Sequence, residues 1–254
     1  MKRLWALLFI ALLASCASSG GGSEGTPQLD PSRAQASAKI HTELAASYYE
    51  RTQYAIALQE IAIALKADSD YAPAYTVRAL IRMALHEDDL ADSDFRRSLN
   101  LDGANSENRN NYGWFLCQRG REKESLRQFQ EALNNPLYAT PEMAYVNLGM
   151  CSKKAGMPKE AEANLQRALV LRPGMAEALY GLAVLSYERG DFAGAKSYFL
   201  KFSQQSSELT AEQLWLAVRI ERKVRDRNSA ASYALQLRKR YPDSRETQLL
   251  LQGE

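Results

Sequence analysis

The sequence predicts an all-α chain built as a solenoid of stacked helix pairs, and three observations lead there. A small residue recurs at Ala57, Ala91, Ser125, Ala161, Ala195 and Ala231, at spacings of 34, 34, 36, 34 and 36 residues. Prolines fall where such helices would begin or end, none interrupts a predicted helix, and Gly120, Gly156 and Gly190 end first helices. The 254 residues are 46% hydrophobic and 24% charged, an ordinary balance for a folded chain. A repeat of about 34 residues holds two helices and their turns, too little to bury a core alone but enough when neighbours stack.

The first element lies outside this pattern. Lys2 and Arg3 precede the apolar run Leu4 to Leu13, and Leu13-Ala14-Ser15-Cys16 follows. A basic start, a short apolar stretch and small residues make a secretory signal peptide. Its end resembles a bacterial lipobox, which implies cleavage before Cys16 and lipid attachment to Cys16. Ala17 rather than aspartate follows the cysteine. In lipoproteins of this type that favours the outer membrane. Residues 1–15 are therefore read as the signal peptide, and 16–37 as the lipidated cysteine and a flexible Gly/Ser-rich tether. Residues 38–254 form the repeat domain. Losing Lys2 and Arg3 leaves 30 Lys+Arg against 30 Asp+Glu, a balance that argues against nucleic acid as a partner.

With the recurring small residue set as position 20, other positions fall into register. Position 8 reads Ala45, Ala79, Gly113, Gly149, Ala183 and Arg219; position 24 reads Ile61, Phe95, Phe129, Leu165, Phe199 and Leu235. Position 27 reads Ala64, Ser98, Ala132, Ala168, Phe202 and Arg238. Small side chains at 8 and 20 let two antiparallel helices cross closely, and position 24 fills the gap between them. This is the tetratricopeptide pattern. The sixth repeat fits worst, with Arg219 and Arg238 where small residues belong. Pro73 and Pro158 fall at helix starts, Pro136, Pro141, Pro173 and Pro242 between helices, and Gly120, Gly156 and Gly190 at the ends of first helices. The prediction is a right-handed superhelical solenoid of six tetratricopeptide repeats, closed by a short capping helix over residues 245–252.

The residues offer no catalytic set. The chain has two histidines, His41 and His86, three cysteines and no phosphate-cradling or dinucleotide motif, so no enzyme activity, metal, cofactor or small-molecule substrate is expected. Binding is the expected chemistry. First helices line the concave face, where positions 2, 5, 9 and 12 form one stripe. The candidate partner-binding groove comprises Tyr49, Met83, Asn110, Asn111, Trp114, Asn147, Met150, Tyr180 and Tyr187. Aromatics there suit interface anchors, and asparagines suit the backbone of an extended peptide. Cys117 and Cys151 fall at positions 12 and 10 of adjacent first helices. They are a disulfide candidate, the alternative being two buried free thiols.

A lipobox, a short tether and six such repeats resemble the PilF/PilW family of type IV pilus assembly lipoproteins. The stretch Asn110-Asn111-Tyr112-Gly113-Trp114-Phe115-Leu116-Cys117 resembles that family's third repeat, and the pair Cys117 and Cys151 fits as well. The resemblance implies a non-catalytic pilotin, anchored in the outer membrane and facing the periplasm. Such a protein helps the secretin PilQ to localise and multimerise, in support of twitching motility. A periplasmic scaffold lipoprotein organising other cell-envelope complexes has the same repeats and remains open at this point.

Overall fold

The computed structural model describes residues 30–253; the expected signal peptide, Cys16 and the expected tether up to residue 29 lie outside the described residues. Thirteen helices and no strand are found among the described residues. They are α1 (Pro31–Glu50), α2 (Tyr54–Ala67), α3 (Ala72–Ala84), α4 (Asp88–Leu101), α5 (Ser106–Gln118) and α6 (Glu122–Leu133). There follow α7 (Pro141–Lys154), α8 (Pro158–Leu171), α9 (Ala176–Arg189), α10 (Phe192–Gln205), α11 (Ala211–Lys223), α12 (Arg227–Arg240) and α13 (Arg245–Leu251). Consecutive helices pack as hairpins, and each first helix from α3 to α11 also packs against the second helix of the pair before it. The first helices α1, α3, α5, α7 and α9 touch in series, which makes the stack a solenoid.

Local chemistry sets the ends of these helices. Asp30 caps α1 by accepting the Ser32 N–H at 3.1 Å, and Pro31 opens the helix, where its missing N–H costs nothing. Residues 31–37, expected in the tether, are therefore helical. Pro141 likewise opens α7 instead of lying between helices. Asn105, Asp191, Asp226 and Ser244 cap α5, α10, α12 and α13 through side-chain oxygens. Thr210 and Gln213 form a reciprocal capping box on α11. Each hairpin turns at one left-handed residue. Three are Gly120, Gly156 and Gly190, with φ of 74°, 75° and 87°; the others are Thr52, His86 and Arg225.

The packing follows the expected register through five repeats. Ala57, Ala91, Ser125, Ala161 and Ala195 are all fully buried, and so are Phe95 and Phe129 at position 24. Close approach is literal at Gly149, where an added Cβ would lie 2.7 Å from Leu165 Cγ. The sixth repeat is shifted by one residue. Ala231, Leu235 and Arg238 are exposed, whereas Ala230, Val218 and Leu237 are buried. Position 20 is thus Ala230, position 8 is Val218 and position 27 is Leu237. The two misfit arginines were a register error.

Ion pairs stitch one repeat to the next at a recurring place. Position 17 or 21 of a second helix meets an opposite charge on the following repeat. Asp88 pairs with Arg119 at 2.7 Å, Asp92 with Arg121 at 2.6 Å, and Glu122 with Lys154 at 3.9 Å. Glu162 pairs with Arg189 at the next junction, and Lys196 reaches Glu221 at 2.7 Å and Asp226 at 3.0 Å. The Ser229 backbone N–H and then the Lys196 ammonium hold the Asp226 carboxyl down at about 2, against an ordinary 3.8. A carboxyl lowered by folding contributes stability that is present above its unfolded value and lost as pH falls through the folded one. Thermal melts between pH 4 and pH 2 should therefore fall less steeply for Asp226→Asn than for the wild type. Parallel curves would show that this carboxylate contributes nothing.

Candidate functional site

The stripe of first-helix positions 2, 5, 9 and 12 grades from solvent to core. Position 2 is exposed at Lys39, Glu107 and Glu177. Position 5 is deeper, with Thr42 at 5%, Asn110 at 5% and Val146 at 4% exposure. Position 9 lies between these extremes, half-buried at Ala46, Leu80, Trp114, Met150 and Val184. Tyr49, Met83, Asn111, Trp114, Asn147, Met150, Tyr180 and Tyr187 are all half-buried, so each is open on one side. Asn110 is the exception. Its side chain is almost fully buried, and its Oδ1 accepts Asn147 Nδ2 at 3.0 Å, a cross-link between α5 and α7. Hence Asn110 holds the groove together instead of lining it.

At the centre of the groove, Trp114 packs on Cys117, Phe129, Leu148 and Cys151. Cys117 and Cys151 are joined as a disulfide with Cα atoms 5.9 Å apart, bridging α5 to α7. Lys154 Nζ donates to the Cys117 carbonyl at 2.5 Å, a second tie across the same pair. Met150 leans toward α9, where its sulfur would lie 3.2 Å from a Cβ placed on Gly181. At the N-terminal end, the Tyr49 and Tyr54 rings lie 6.0 Å apart. Burial, and then the neighbouring Tyr54, push the Tyr49 hydroxyl above its ordinary value.

The C-terminal end of the stripe is aromatic and cationic, and sequence reasoning missed half of it. With the sixth repeat in its true register, Glu212, Trp215, Arg219 and Arg222 occupy positions 2, 5, 9 and 12 of α11. The Arg219 guanidinium lies 4.9 Å from the Tyr187 ring centroid and 5.7 Å from that of Trp215. Its Nε is buried without a hydrogen-bond partner among the described residues. Tyr180 stands 5.1 Å from the Phe202 ring, and burial, followed by the Glu212 carboxylate, raises its hydroxyl well above the usual tyrosine range. The adjacent alanines Ala230 and Ala231, only one of which can be position 20, were the signal that could have located Arg219.

The arrangement sets half-buried aromatics along one stripe, with faces open to the side chains of an extended or helical peptide. Among the described residues no group of His, Cys, Asp or Glu is placed to hold a metal ion. No described helix is long and apolar enough to cross a membrane.

Comparison with known proteins places these features. The tetratricopeptide repeat family model matches residues 153–201. The chain is 29% identical over 243 residues to the type IV pilus assembly protein PilF of Pseudomonas aeruginosa, covering 96% of each. The crystal structure of PilW, described as a widely conserved type IV pilus biogenesis factor, superposes with a TM-score of 0.78 at 37% identity. That match covers 84% of this chain and 98% of PilW. The structure of Pseudomonas aeruginosa PilF superposes with a TM-score of 0.80 at 28% identity, covering 87% of this chain and all of that one.

Proposed function

The chain belongs to the PilF/PilW family of tetratricopeptide-repeat proteins, and from that premise we propose that it is a pilotin lipoprotein of type IV pilus biogenesis. In this reading Cys16 carries the lipid, the repeats hang from the outer membrane into the periplasm, and the groove captures a segment of the secretin. The work done is binding, not catalysis: the partner is held while it reaches the outer membrane and assembles. The observation that carries the reading is the 37% identity to PilW along 98% of that protein's length. The half-buried aromatics on the concave face supply chemistry suited to a peptide.

Two measurements test it. In cells lacking the protein, secretin should accumulate as monomers, and the wild-type gene should restore heat-resistant multimers. Cys16→Ser should leave the repeats folded but release the protein from outer-membrane fractions. Normal multimers in the deletion strain would sink the pilotin reading and leave a scaffold for other envelope complexes. The groove is tested separately with Trp114→Ala combined with Tyr180→Ala. Loss of a real anchor should cost at least ~2 kcal/mol of binding, roughly thirtyfold in affinity. Melting of the same purified variant reports how much of the loss is unfolding. A variant that melts normally and still supports secretin assembly rules the central groove out.

A further inference from the structure

Beside α13, the last helix among the described residues, the solenoid carries an open pocket. Counting from Ala230 as position 20, position 1 of a seventh repeat is Arg245, the first residue of α13. α13 packs on α11 and α12 as a seventh first helix would, but it stops at Leu251, position 7. First helices such as α3 and α5 run on to position 13, at Ala84 and Gln118. Beside the end of α13 lies an open pocket of about 580 Å³, with Val218, Arg222, Arg225, Arg227, Ala230 and Ala234 in its lining. Its floor is small where other repeats are large. Position 24 is Ala234 here, against the buried Ile61, Phe95, Phe129, Leu165 and Phe199 elsewhere.

The charge of the missing partner can be read from the earlier junctions. Position 17 of the second and third repeats is acidic, and Asp88 and Glu122 pair there with Arg119 and Lys154 of the following repeat. In the sixth repeat position 17 is Arg227, which has no ion-pair partner among the described residues. Arg225 stands beside it and also lines the pocket, at the left-handed turn that Thr52 and His86 hold in the first two repeats and glycine in the next three.

We propose that this end face docks a partner protein through a short amphipathic helical segment, apolar on one side and acidic at its C-terminal turn. The segment completes the seventh first helix over about 10 Å of helix. The site meets the end of the groove stripe at Arg222, position 12 of α11, while Val218, Ala230 and Ala234 put the rest of it on the stacking face. A second copy of the chain does not fit, because α13 already fills the half that an incoming α1 would need.

The test uses the full chain and a fluorescein-labelled helical peptide rich in alanine and leucine, with glutamates in its last turn. The wild type should bind it, and a glutamine counterpart should bind at least about tenfold more weakly. Arg227→Glu should lose the glutamate peptide and gain one carrying lysines at the same places. Ala234→Phe should block binding by filling the floor, with the fold checked by melting. Equal binding of the glutamate and glutamine peptides, or an Arg227→Glu variant that keeps its preference, would overturn the proposal. So would vesicles of phosphatidylglycerol and phosphatidylcholine capturing the chain through Arg227 while the peptide does not bind, which would assign the arginines to lipid phosphate.

Discussion

Asp94→Ala should destabilise the fold by about 3–5 kcal/mol, the usual cost of removing one member of a buried ion pair. Asp94 on α4 is only 3% exposed. Arg78 grips it with both arms of its guanidinium, Nε to Oδ2 at 2.8 Å and Nη2 to Oδ1 at 2.7 Å. Arg82 Nη1 adds a third bond to Oδ2 at 2.6 Å. Asp94, first by its hydrogen bond and then by its charge, raises the Arg78 guanidinium further. Without the carboxylate, two half-buried cations face each other, and only Glu87 at 4.0 Å from Arg82 remains. The fifth repeat places Leu182, Ser186 and Tyr198 at the equivalent positions. The triple change Arg78→Leu, Arg82→Ser, Asp94→Tyr should therefore recover most of the loss, because a satisfied apolar cluster replaces a satisfied charged one. Urea unfolding of the single and triple variants decides this. An Asp94→Ala midpoint equal to wild type would mean that the cluster is solvated and weak.

That cluster also marks where sequence reading stops. The recurring small residues were legible because their requirement is steric and local: nothing larger than alanine or serine fits where backbones cross, so Ala57 to Ala195 declare themselves by size alone. The sixth repeat misled because Ala230 and Ala231 both satisfy that requirement. The deciding evidence, Leu237 in and Arg238 out, depends on which face is covered. Nothing in the spacing of Arg78 and Arg82 marks them as partners of a buried carboxylate, since Asp94 is supplied from another helix. The groove was legible as a stripe but not as a depth profile. Asn110 and Asn111 are neighbours of one residue type, yet a hydrogen bond from α7 commits the first to structure and leaves the second half-open. The pocket beside α13 has no sequence signature of its own, because its lining is drawn from α11, α12 and the turn between them.

Removing the Cys117–Cys151 bond should cost about 3–4 kcal/mol in the chain-entropy account, given its sequence separation of 34 residues. Both cysteines are almost fully buried, at 2% and 0% exposure, and an oxidising compartment would keep them joined. The bond ties α5 to α7 where Trp114 and Asn111 on one helix face Asn147 and Met150 on the other. Cutting it therefore acts on the groove as well as on stability. The Asn147–Asn110 hydrogen bond and the Lys154 contact to the Cys117 carbonyl would be left to hold the two helices in register, each worth about 1–3 kcal/mol at most. A Cys117→Ser, Cys151→Ser variant should unfold at lower urea than the oxidised wild type. Reductant should bring the wild type down to match it. Alkylation of unfolded, unreduced protein followed by intact-mass measurement checks the premise, and two labelled thiols at these positions would sink it. If the bond serves binding too, the serine variant should capture the groove's partner less well under conditions where both proteins remain folded. Unchanged capture with reduced stability would confine the disulfide to holding the central repeats together.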